Sequence, residues 1–106
     1  MSVTDTALVY LHAATTGDCA MTKALTYHWE NTTFAWCHDP KMLSYKDVQA
    51  PMFVPASEAG ASVELVTFTM KTTAFPDHSL QAGVEPWSFD FVRTPAGWRV
   101  RDQGQG

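Results

Sequence analysis

The sequence predicts an α+β domain in which two or three N-terminal helices pack on one face of an antiparallel sheet of about four strands. Three observations predict it. Apolar residues between Val3 and Trp29 recur at helical spacing. From about Leu43 onward they recur at spacing two. With 106 residues, the chain is long enough for one packed core and too short for two. Residues 1–106 are therefore read as a single domain with no internal repeat.

Thr4 to Thr15 reads as an amphipathic helix, with Val3, Ala7, Leu8, Tyr10, Leu11 and Ala14 on one face. Gly17 supplies its stop, and Asp18 stands where the cap of a following helix belongs. That second helix is expected over Cys19 to Trp29, with Met21, Ala24, Leu25, His28 and Trp29 as its apolar stripe. Asn31-Thr32-Thr33 stops it, and Asp39-Pro40 reads as the cap and first residue of a single further turn.

The strands follow. Leu43 to Val54 is an irregular first strand broken by Pro51. Ser62 to Thr73 is a long strand whose alternation slips near Leu65-Val66, the signature of a bulge. Glu85 to Arg93 alternates cleanly and puts Trp87, Phe89 and Phe91 on one face and Asp90 on the other. Thr94-Pro95-Ala96-Gly97 is a tight turn. Trp98 to Asp102 is the last strand, with Trp98, Val100 and Asp102 in phase, and residues 103–106 are read as a frayed tail.

Composition excludes several function classes. Hydrophobic residues are 45% and charged residues 17%, so disorder is not the dominant state. A net charge of -4 argues against nucleic acid. Arg93, Arg99 and Arg101 do cluster on the last hairpin, where Arg99 and Arg101 are expected to face solvent and pair with acids such as Glu64 or Glu85. No stretch approaches the ~18 apolar residues of a membrane span. Met1 to Asp5 has neither the basic segment nor the apolar run of a signal peptide, which leaves a cytoplasmic protein or one numbered after a removed leader. Cys19 and Cys37 are the two cysteines. They are either a disulfide, which implies an oxidising compartment, or two buried thiols.

Ser88-Phe89-Asp90-Phe91-Val92-Arg93, a Pro-Ala-Gly turn, and Gly97-Trp98-Arg99-Val100-Arg101-Asp102 resemble the closing hairpin of the nuclear-transport-factor-like, cystatin-like cone superfamily. Gly17-Asp18-Cys19 and Lys23-Ala24-Leu25 resemble its opening helices. Trp36-Cys37-His38-Asp39-Pro40 and Ser44-Tyr45-Lys46-Asp47-Val48 further resemble a short secreted or lipid-anchored branch in high-GC Gram-positive bacteria. The resemblance implies a strongly bent sheet wrapped around the first helix as a cone, a Cys19–Cys37 disulfide, and an extracytoplasmic location. It implies no particular reaction, because that superfamily holds isomerases, cyclases and dehydratases beside many members without chemistry.

The candidate site residues are His12, His28, Trp29, Tyr45 and Asp102, all expected to line a pocket. His28, in the stripe of helix two, and Asp102, in phase with Trp98 and Val100, are the candidate catalytic acid or base. For each, the ordinary alternative is a satisfied core histidine and a solvated carboxylate near the chain end. Cys37-His38-Asp39 lacks metal-ligand spacing, and no cofactor motif is present, so neither metal nor cofactor is expected. Asn31-Thr32-Thr33 matches a glycosylation acceptor that bacterial secretion leaves unused. The leading expectation is a non-catalytic extracytoplasmic domain that binds a small apolar ligand or a protein partner. The rival is an isomerase or cyclase, and a third reading is a homodimerisation module.

Overall fold

A computed structural model of the chain describes residues 1–31 and 35–105. Helix α1 spans Val3–Thr16. Ser2 caps it by accepting from the Asp5 amide at 3.0 Å, and Gly17, left-handed at φ 77, ends it by donating to Ala13 O. The buried face is Val3, Thr6, Ala7, Tyr10, Leu11, Ala13 and Ala14. Leu8 lies on the flank, 40% exposed, and Thr6 takes an inward place because its hydroxyl is satisfied by Ser2 O at 2.9 Å.

Helix α2 spans only Cys19–Ala24, capped by Asp18 on the Met21 amide at 3.2 Å. It does not reach Trp29, because the backbone after Leu25 is captured by the last strand. Val100 N donates to Leu25 O at 2.8 Å, and Tyr27 N donates to Val100 O at 2.7 Å. The expected stripe is corrected accordingly. Leu25 is buried, whereas Met21, Ala24, His28 and Trp29 are exposed. Thr22 and Thr26 are buried in their place, their hydroxyls donating to Ala35 O and Thr22 O, each at 2.7 Å. A single 3-10 turn, Trp29–Asn31, follows. The expected stop at Thr32-Thr33 lies outside the described residues.

No helical turn forms at Asp39-Pro40. The chain bends through residues 36–40, with Trp36 left-handed at φ 61 and Pro40 buried, so tertiary anchoring overrides the local cap signal. The expected first strand is split into β1, Met42–Lys46, and β2, Met52–Val54. Left-handed Asp47 and Pro51 stand in the gap. A short helix α3, Ala56–Ala59, closes on Gly60 and was not expected there. Strands β3, Val63–Thr72, β4, Gly83–Thr94, and β5, Gly97–Gly104, complete the fold.

The sheet has five strands in the order β1-β3-β4-β5, with β2 also paired to β3, and every pairing is antiparallel. The β3–β4 register runs unbroken from Glu64–Phe91 to Thr72–Gly83, so the bulge expected near Leu65-Val66 is absent. The slip in alternation has another cause: Val63 is buried on the face opposite Val66, Phe68 and Met70. The register shifts fall instead at Leu43 in β1 and at Arg101 in β5. The turn at Pro95-Ala96 forms as expected, with the Thr94 hydroxyl donating to Gly97 O at 2.8 Å. Helix α1 crosses one face of the open sheet, and the core between them holds Tyr10, Leu11, Phe68, Trp87, Phe89 and Phe91. No helix among the described residues is long and apolar enough to cross a membrane.

Candidate functional site

The shift at Arg101 decides what faces the core. Phe91 pairs with Val100 and Asp90 with Asp102, so Arg101 is an extra residue on β5. An extra residue inverts the alternation beyond it. Asp102 therefore stands exposed on the outer face, not in phase with Val100 as the sequence suggests. Gln103 turns inward in its place. The residues read as a frayed tail from 103 onward are strand as far as Gly104.

Gln103 joins the polar tips of the core aromatics. Its Oε1 accepts from Trp36 Nε1 at 2.9 Å and from Trp87 Nε1 at 3.1 Å. Its Nε2 donates to Tyr10 Oη at 3.1 Å. Burial pushes the Tyr10 hydroxyl up to about 12, although hydrogen bonds with Gln103, Thr26 and Trp36 pull the other way. The apolar parts of these residues interlock. Tyr10 and Phe68 each meet Phe89 with centroids 4.8 Å apart, and Trp36 stands edge-on to Trp87 at 5.9 Å. Bulky side chains thus occupy the space between α1 and the sheet. Sequence reasoning missed Gln103, because the bulge that turns it inward leaves no mark in the hydrophobic pattern.

The outer face carries a second arrangement. Asp90 and Asp102 stand directly opposite in a shallow cleft of about 270 Å³ that also includes Leu65, Ser88 and Gln105. Partial burial, then the Asp102 charge, raises the Asp90 carboxyl above its ordinary value, and Arg101 opposes the shift. Asp102 Oδ1 accepts from the Gln103 amide at 2.8 Å.

The other expected site residues are not gathered into one pocket. His28, expected against the sheet, is exposed because α2 ends before it. Its Nδ1 lies 3.5 Å from Glu30 Oε1, and its ring lies 4.0 Å from that of Tyr27. Trp29 is 47% exposed, with Lys23 Nζ 4.8 Å from its ring centroid. His12 is on the solvent side of α1. Tyr45 is half-buried on β1, opposite Met70, beside a cleft of about 220 Å³.

Cys19 and Cys37 are bonded, with their Cα atoms 5.0 Å apart. A cleft of about 290 Å³ beside the bridge is lined by Thr16, Trp36, Cys37, His38, Lys41 and Met42 among others. No arginine pairs with Glu64 or Glu85 among the described residues. Arg101 donates to Ala59 O at 2.8 Å, Arg99 to Trp98 O at 2.7 Å, and Arg93 lies 5.4 Å from the Trp98 ring. No group of three or more His, Cys, Asp or Glu side chains converges among the described residues. No family model matches the chain, and no curated protein or solved structure matches it.

Proposed function

We propose that the chain is a non-catalytic extracytoplasmic domain, a disulfide-bridged member of the cone superfamily that it resembles, and that it acts by presenting its surface to a protein partner. The carrying observation is the filled interior: Trp36, Trp87, Phe89 and Tyr10 close around Gln103 where a pocket-type cone would keep a cavity. This favours a protein partner over a small apolar ligand. The Cys19–Cys37 bridge supports the location. Large apolar side chains stand outside instead, including Tyr27 at 42%, Trp29 at 47% and Phe53 at 61% exposure.

The test has two parts. The oxidised protein, titrated with the apolar dye ANS, is expected to show no saturable site. Chemical crosslinking in the extracytoplasmic fraction is expected to yield one defined protein adduct, lost in a Tyr27→Ala/Trp29→Ala variant of unchanged stability. Saturable dye binding to the oxidised form, or adduct formation indifferent to these residues, overturns the proposal.

A second reading is acid–base catalysis of the isomerase or cyclase type. The outer-face cleft that sets Asp102 directly opposite Asp90 favours Asp102 over His28, which lies outside that cleft, for that role. An Asp102→Asn variant with unchanged turnover of any substrate found for the wild type removes it.

A further inference from the structure

We propose that the Cys19–Cys37 bridge is a redox latch on the aromatic core: a small dithiol entering the adjacent cleft opens it, Trp36 leaves its seat, and an apolar cavity is uncovered. Trp36 sits between two anchors. On one side, Ala35 O accepts from the buried Thr22 hydroxyl at 2.7 Å. On the other, Cys37 is tied to Cys19. Between them the Trp36 backbone is left-handed at φ 61, a conformation that a bulky L residue keeps only when its surroundings impose it. This conformation carries the indole into the core, where Trp36 is 1% exposed and donates to Gln103. Freeing Cys37 removes the anchor on that side and lets the backbone relax toward negative φ.

The bridge is reachable. Both cysteines are half-buried, and the cleft of about 290 Å³ is lined by Cys37 and not by Cys19. A thiolate of the dithiol attacks Cys37 Sγ, and Cys19 Sγ departs as a thiolate that takes up a proton. The second thiol of the reagent then attacks its own sulfur in the mixed disulfide. Cys37 leaves and is protonated in turn. Overall the protein gains two electrons and two protons, and the dithiol becomes a cyclic disulfide.

Release is local because Gln103 keeps Trp87 and Tyr10 as partners, each at 3.1 Å. Departure of the indole uncovers the rings of Trp87 and Phe75, whose centroids lie 5.9 Å from it. The space left is of indole size, walled by the Trp87 and Phe75 rings with the Gln103 amide oxygen at one end, so the reduced form takes a small, largely apolar molecule that the oxidised form excludes. This switch does not depend on which outer surface meets a partner.

The test compares oxidised protein, protein treated with dithiothreitol and then freed of it, and a Cys19→Ser/Cys37→Ser variant. The readouts are indole N–H exchange by nuclear magnetic resonance, ANS binding and far-ultraviolet circular dichroism. In the reduced and serine forms, exchange of the Trp36 indole is expected to accelerate by at least about tenfold. The Trp87 indole and the sheet signal hold, and ANS binds saturably. Reoxidation reverses all three. Unchanged Trp36 exchange in protein shown by mass to carry two free thiols overturns the latch. So does loss of the whole sheet on reduction, which makes the bridge a global staple instead.

Discussion

At the scale of residues, Gln103 carries the most weight per atom. One amide group, partly buried, satisfies two indole N–H donors and one phenol. Gln103→Leu removes the amide that meets all three while keeping a side chain of similar size. Tyr10 keeps its hydrogen bonds with Thr26 and Trp36, so the cost falls mainly on the Trp87 N–H, and a loss of about 1–3 kcal/mol is expected in denaturant unfolding. Asp102→Ala, one position away and exposed, is expected to fall within about 0.5 kcal/mol of wild type. Asp90 gives a pH prediction. Its carboxyl is raised above the ordinary 3.8, so the folded state holds that proton more tightly than the unfolded chain. Stability from this group is present at low pH and falls as pH rises through the window above 3.8. Asp90→Asn is expected to flatten that fall, as read from urea midpoints at acidic and neutral pH. A steeper fall in the variant contradicts the assignment.

At the scale of elements, the sequence shows most where local and tertiary preferences agree. Gly17 ends α1, the phase of Trp87, Phe89 and Phe91 is that of β4, and Pro51 lies in the gap between β1 and β2. It misleads where a distant partner decides. The stripe from Met21 to Trp29 has helical spacing, yet β5 claims the backbone at Leu25 and Tyr27. His28 consequently moves from an expected core position to the surface. Asp102 and Gln103 exchange faces for a similar reason, since one extra residue in β5 is set by pairing with β4 and not by local propensity. This yields a deletion test. Removing Arg101 takes out the extra residue and leaves Val100 opposite Phe91, Asp102 opposite Asp90 and Gln103 inward opposite Phe89, so cooperative folding is expected to be kept. Arg101→Ala keeps the bulge and loses the contact to Ala59 O, a cost of about 1 kcal/mol. Loss of cooperative unfolding in the deletion, with Arg101→Ala still folded, contradicts the reading of Arg101 as the extra residue.

At the scale of the molecule, a chain of 106 residues has a modest core, and the covalent bridge supplements it. The two cysteines are 18 positions apart, and removing both is expected to cost about 2–5 kcal/mol. The β3–β4 and β4–β5 ladders do not run through the bridge, so the sheet is expected to persist. Differential scanning calorimetry of the Cys19→Ser/Cys37→Ser variant checks this, and an unchanged midpoint contradicts it. Spacing alone leaves the bonding of the two cysteines open, and the bridge that the resemblance implied is the one the structure contains. The filled interior was equally hidden: aromatic content is legible, but whether the rings face a cavity or one another depends on Gln103.

The central claim, that the space between α1 and the sheet is occupied and Trp29 stands outside it, is tested most directly by solvent exchange at the tryptophan indoles of the oxidised protein. The account predicts slow exchange at Trp36 and Trp87, which are 1% and 5% exposed, and fast exchange at Trp29. Rapid exchange at Trp36 and Trp87 with protection at Trp29 would contradict it, describing instead a second helix that continues to Trp29 over an open pocket.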